Sequence, residues 1–173
     1  MVRMNKLIIL VEKDSKGLKK HLHEIVFGYY SEKYEVSNRE MEIKRDSGGK
    51  PFIIVQGEKL SEFFNISHTS GVGVVIFSNY EIGIDIEGIV SPDDRIAQRF
   101  FHKNERRYLY DSEGETEYRK RFYEIWTKKE AYLKWNGMGL AGGLRNINVL
   151  TKRYAFQCIE INGKEYALAV YAQ

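Results

Sequence analysis

Gly83-Ile84-Asp85-Ile86-Glu87, followed some forty residues later by Trp126-Thr127-Lys128-Lys129-Glu130-Ala131-Tyr132-Leu133-Lys134, decides the reading of this chain. In the first stretch apolar and acidic residues alternate. On a strand this puts Asp85 and Glu87 on one face and buries Ile84 and Ile86 on the other. The second stretch reads as a helix, with Glu130 and Lys134 one turn apart on neighbouring parts of its surface. Three carboxylates and an ammonium can thus converge. Oxygen ligands of this kind suit a hard divalent cation such as Mg2+, which binds through a few carboxylates, water and the phosphate oxygens of a substrate. The constellation points to phosphate chemistry.

Composition bounds the setting. The chain has 173 residues, 43% apolar and 13% aromatic, with only two prolines, which excludes disorder as its general state and allows a real core. No run reaches the ~18 apolar residues of a membrane helix, and the Leu7–Val11 run lacks a signal-peptide cleavage region, so a cytoplasmic protein is expected. With 27 Lys plus Arg against 24 Asp plus Glu, the balance is too weakly basic to indicate nucleic acid, and no RNA-binding aromatic motif accompanies it. The single Cys158, in a strand-like segment, reads as a core residue.

Apolar spacing predicts a strand over Leu7–Val11 and an amphipathic helix over Leu18–Tyr30. A turn at 46–49 leads into an extended Phe52–Val55. Phe63–Phe77 reads as mostly extended, and Asn79 turns the chain into Tyr80–Glu87 as a hairpin. Ser91-Pro92-Asp93-Asp94 opens a short helix to about Arg99, and a second follows over Asn104–Tyr110. Thr116 is the expected cap of the longest helix, ended by Gly137, Gly139, Gly142 and Gly143. Strands are expected at Ile147–Leu150, Tyr154–Ile161 and Tyr166–Ala172. The element order gives an α+β fold in two halves, 1–79 and 80–173.

Five ordered motifs carry a resemblance: Gly48-Gly49-Lys50-Pro51, Phe64-Asn65-Ile66-Ser67-His68, Ile82 to Glu87, Arg99-Phe100-Phe101 and Trp126 to Lys134. The chain resembles the 4'-phosphopantetheinyl transferases, particularly their surfactin-type members. The resemblance implies two similar α/β halves in one chain, related by a pseudo-twofold, and a monomer. It implies transfer of the phosphopantetheine arm of coenzyme A to a serine of an apo acyl or peptidyl carrier protein of fatty-acid, polyketide or nonribosomal-peptide assembly. Asp85, Glu87 and Glu130 become the Mg2+ ligands and Lys134 the charge stabiliser. Glu130, directly or through a metal-bound water, becomes the base. Lys50, Pro51, Ser67, His68, Lys129 and Lys134 become coenzyme A contacts, with Lys16, Lys20 or Arg39 candidates for its 3'-phosphate. Gly137-Met138-Gly139-Leu140 stands where the family pattern has a lysine between the glycines. A non-catalytic module binding coenzyme A or a carrier protein is the alternative. The cluster Arg99, Lys103, Arg106 and Arg107 is a candidate docking surface for an acidic carrier helix.

Overall fold

The computed structural model describes residues 6–12, 15–137 and 143–173, and the side chains of all of these except Ser15 and Lys16. Met138, Gly139, Leu140, Gly142 and the Lys16 side chain, singled out above, lie outside the described residues.

Among the described residues, nine strands and four helices form an α+β fold. In chain order these are β1 (Lys6–Val11), α1 (Ser15–Tyr34), β2 (Met41–Arg45), β3 (Pro51–Val55), β4 (Glu58–Lys59), β5 (Phe63–Thr69), β6 (Val72–Ser78) and β7 (Ile82–Gly88). The chain continues with α2 (Asp94–Phe100), α3 (Lys103–Tyr110), α4 (Glu115–Asn136), β8 (Ala155–Ile161) and β9 (Lys164–Ala172). Three antiparallel sheets result, ordered β1-β6-β5, β2-β3-β4 and β7-β9-β8.

The uninterrupted apolar run of β6 follows from burial on both faces. Val75 and Phe77 meet the apolar stripe of α1 at Leu18, Leu22, Val26 and Tyr30. Val72, Val74 and Ile76 point the other way, into a core shared with Ile82, Ile84 and Ile86 of β7 and Tyr166, Leu168 and Val170 of β9. This shared core binds the first sheet to the third. The opposite face of β7 carries Gly83, Asp85 and Glu87, and α4 packs over it. Gly83 makes that packing possible. A Cβ at this position would lie 2.0 Å from the Ala131 carbonyl oxygen and 2.6 Å from the Trp135 amide nitrogen, so strand and helix backbones touch where only hydrogen fits.

Five expectations change. β6 and β7 do not form a ladder with each other, because β6 is already hydrogen-bonded on both edges by β1 and β5, and β7 pairs with β9. The first short helix is capped by Asp93, whose carboxylate accepts from the Arg95 amide, and not by Ser91. Gly114, at φ 88°, precedes α4 in place of a Thr116 cap. The Ile147–Leu150 segment forms 3-10 turns at 144–146 and 149–151 instead of a strand. Cys158 is exposed on β8, which pairs only with β9, and is no core residue.

Replacing Gly83 by Ala drives a methyl into helix backbone, which cannot yield locally, and should cost about 3 kcal/mol or more in a urea melt. Gly73→Ala is the matched control. Its Cβ meets only the Leu22 side chain, at 2.7 Å, which can rotate away, so the expected cost is about 1 kcal/mol. Equal losses in the two variants would contradict this account of the α4–β7 contact.

Candidate active site

β5 runs beside β7 with side chains in place of a backbone ladder. The Asn65 Oδ1 accepts from the Ile84 amide at 3.2 Å, and the Ser67 Oγ accepts from the Ile86 amide at 3.4 Å. The Ser67 hydroxyl donates to Asp85 Oδ1 at 2.7 Å. From α4, the Lys134 ammonium donates to the same carboxylate oxygen and to Ser67 Oγ, each at 2.7 Å. This triangle of serine, aspartate and lysine closes over a carboxylate that is only 3% exposed.

A cleft of about 680 Å3 opens here, large enough for a nucleotide-sized ligand. Asp85, Glu87, Glu130 and Lys134 line it together with Ser67, His68, Lys50 and Pro51. Lys19 and His23 of α1 and Arg45 of β2 also line it. His23 and Arg45 were not singled out in the sequence, because nothing local connects α1, the end of β2 and β5. Lys20 is instead paired with Glu24 on the surface, and Arg39 is exposed in a 3-10 turn. The cluster leaves an electrostatic mark: partial burial, then Lys19 and Lys134, hold the His68 imidazole below its usual value. Burial, Arg45 and Lys19 do the same for His23. The positive charge gathered around these two imidazoles suits phosphate.

Around Asp85, negative charge is in excess. Burial, followed by repulsion from Asp85, raises the Glu87 carboxyl to about 7, against the pull of Lys134. Burial and Asp85 likewise raise Glu130 to about 7. Asp85 Oδ2 is buried without a hydrogen-bond partner among the described residues. One orphaned carboxylate oxygen and two acids that resist ionisation are, by their chemistry, a donor set suited to a hard cation. As they stand, no three His, Cys, Asp or Glu side chains among the described residues are gathered tightly enough to hold a metal ion. Lys134 is Asp85's cation in this arrangement.

Lys129 does not belong to the cleft. It is fully buried, its ammonium 2.8 Å from Glu105 and donating to the carbonyls of Leu144 at 2.8 Å and Ile147 at 2.7 Å. Glu105 in turn accepts from the amides of Val149 and His102. One residue along a helix turns the side chain by about 100°, so the neighbour of Glu130 faces the interior. Its role is to tie α4 to α3 and to the 144–151 turns. Burial lowers its ammonium, and Glu105 opposes that shift. The candidate docking arginines lie on α2 and α3, where Arg99 stands over the Phe100 ring and Arg106 donates to the Gln98 carbonyl.

A model of the 4'-phosphopantetheinyl transferase superfamily matches residues 81–173. Over 112 residues the chain is 36% identical to the 4'-phosphopantetheinyl transferase gsp of Aneurinibacillus migulanus, covering 65% of this chain and 45% of that protein. Over 103 residues it is 40% identical to a putative 4'-phosphopantetheinyl transferase of Synechocystis, covering 57% and 41%. Over 127 residues it is 32% identical to the 4'-phosphopantetheinyl transferase Sfp of Bacillus subtilis, covering 72% and 54%. The chain spans about half the length of these curated relatives.

Removing Lys129 leaves Glu105 buried and uncompensated, so Lys129→Met should lose about 3–5 kcal/mol of stability. Coenzyme A affinity of the folded fraction should stay unchanged in calorimetry; a selective loss of affinity with full stability would return Lys129 to the cleft.

Glu87 and Glu130 bind protons more tightly in the fold, at about 7, than at their ordinary 4.5. Their contribution to stability is therefore full below pH 4.5 and is lost as pH rises through about 7. Glu130→Gln should raise stability at pH 8, without divalent cation, by about 1–2 kcal/mol and flatten that pH dependence. Thermal melts between pH 5 and 8 check this, and an unchanged profile would contradict it.

Proposed function

Because the chain belongs to the 4'-phosphopantetheinyl transferase superfamily, we propose that it moves the 4'-phosphopantetheine arm from coenzyme A to a serine hydroxyl of an apo acyl or peptidyl carrier protein. The observation that carries the reading is a cleft lined both by Asp85, Glu87, Glu130 and Lys134 and by Lys19, His23, Arg45 and His68. That combination of acidic and basic groups matches a ligand with a diphosphate to be cleaved and a further phosphate to be held.

The serine oxygen attacks the phosphorus that bears the pantetheine arm. The bond from that phosphorus to the bridging oxygen breaks, and adenosine 3',5'-bisphosphate leaves. The serine proton passes to Glu130, the general base of this reading. Lys134 lies where charge grows on the phosphoryl and leaving oxygens, and offsets it. Asp85, Glu87 and Glu130 would hold Mg2+, which supplies neutralisation of the diphosphate charge. Ser67, His68 and Pro51 face the nucleotide from β5 and the start of β3. Ser67 also fixes Asp85 through its hydrogen bond.

In this reading the halves 1–79 and 80–173 both contribute walls to the cleft, and the protein acts as a monomer in the cytoplasm, without nucleic acid or membrane. No helix among the described residues is long and apolar enough to cross a membrane. The acceptor belongs to fatty-acid, polyketide or nonribosomal-peptide assembly.

The test is direct. Incubation with coenzyme A, Mg2+ and apo carriers of the three kinds should add the mass of the phosphopantetheine arm to at least one, and a chelator should stop it. Asp85→Asn should lower kcat by about a thousandfold, because it removes the carboxylate on which both cation and Lys134 are placed. Carriers of unchanged mass, with coenzyme A still raising the melting temperature, would turn the reading to a non-catalytic binding module.

A further inference from the structure

The resemblance gives Lys50 to the ligand, yet its ammonium is engaged elsewhere. Lys50 Nζ donates to the main-chain carbonyl of Trp135 at 2.8 Å and pairs with Glu81 at 3.4 Å, and the side chain is 9% exposed. Trp135 lies in the last turn of α4, where carbonyls have no partner within the helix and the dipole favours a cation. Lys50 thus caps the C-terminal end of the helix that carries Glu130 and Lys134.

The segment holding Lys50 is itself stiff. Asp46 accepts from the amides of Gly48 and Lys50 through its side chain, each at 2.9 Å, and from the Gly49 amide through its carbonyl at 2.9 Å. The Asp46 amide returns a bond to the Lys50 carbonyl at 3.0 Å, and Arg45 Nη1 donates to the Gly49 carbonyl at 2.7 Å. This knot is pressed directly on the end of α4. A Cβ on Gly48 would lie 2.2 Å from the Gly137 carbonyl oxygen, so two backbones from distant parts of the chain meet there without a side chain between them. Gly48, Gly49, Lys50 and Gly137 all line the cleft.

We propose that Lys50 is a positioning residue: with Gly48 it clamps the C-terminal end of α4, holding Glu130 and Lys134 in register with Asp85, and its ammonium does not serve as a ligand contact. The proposal rests on the reading of Glu130 and Lys134 as the reacting groups. Lys134 is adjacent to the capped residue, and Glu130 is five residues before it. A shift at the helix end is therefore delivered to both. Because the clamping turn also lines the cleft, a nucleotide seated against it would settle the same helix end, which links binding in the cleft to the alignment of Glu130 and Lys134.

Two variants and a rescue separate this role from ligand contact. In Lys50→Met, kcat should fall by about tenfold or more, with the KM for coenzyme A changed less than about threefold. Amide exchange over residues 133–137 should quicken by about tenfold, because the end of α4 frays without its cap. Gly48→Ala, which forces the turn off Gly137, should reproduce both effects, and Lys50→Arg, which keeps a donor and a charge, should restore much of kcat. A rise of about tenfold in KM for coenzyme A, with kcat and exchange unchanged, would return Lys50 to the ligand and overturn the proposal. So would a lack of any change in kcat and exchange. The exchange measurement needs no substrate, so it judges the clamp even if the wild-type protein modifies no carrier, an outcome that would defeat the functional reading instead.

Discussion

The contact of α4 with the backbone of β7 at Gly83 is the constraint on which the rest of the molecule depends. Helices normally ride on a sheet at side-chain distance; here hydrogen alone separates the two backbones, which draws the helix down onto the strand. That closeness lets a lysine on the helix reach an aspartate on the strand within 2.7 Å. On β6, Gly73 leaves room for the Leu22 side chain of α1. The cleft is the space left between these two helices, bounded by α1, β5, β7 and α4.

Electrostatics follow from that geometry. Three acids lie on one cleft wall, and burial denies them water. One has a single oxygen paired with Lys134 and Ser67 and the other oxygen without a partner among the described residues; the other two hold protons to about pH 7. A fold optimised only for stability would neutralise such a group with apolar or paired side chains, as it does at Glu105 and Lys129, where the acid and the base are fully buried and each is hydrogen-bonded to backbone. The contrast between these two buried sites separates function from structure. One is complete in itself; the other is short of positive charge and open to a cleft.

Much of this was legible in the sequence. The alternation at Ile84–Glu87 gave the orientation of the acids, and the spacing of Glu130 and Lys134 gave the helix face opposite, because both signals are local and periodic. What escaped is what depends on distant partners. Lys129 and Glu130 are adjacent in sequence, and only the packing against Glu105 and Leu144 shows which of them faces the core. Lys50 looks like a free loop lysine until the end of α4 arrives beside it. His23 and Arg45 sit on two elements whose meeting no spacing announces. The run Val72–Phe77 and the strand after it read as a hairpin, yet β6 had both edges occupied, so β7 joined β9.

Titration of Mn2+ into the protein, followed by calorimetry in the absence of coenzyme A, reaches the central claim most directly. Mn2+ serves as a hard divalent probe for a carboxylate site. The account predicts one site in the wild-type protein, weakened by at least about tenfold in each of Asp85→Asn, Glu87→Gln and Glu130→Gln. Equal affinity in all four proteins would mean that these carboxylates do not share an ion, and would contradict it.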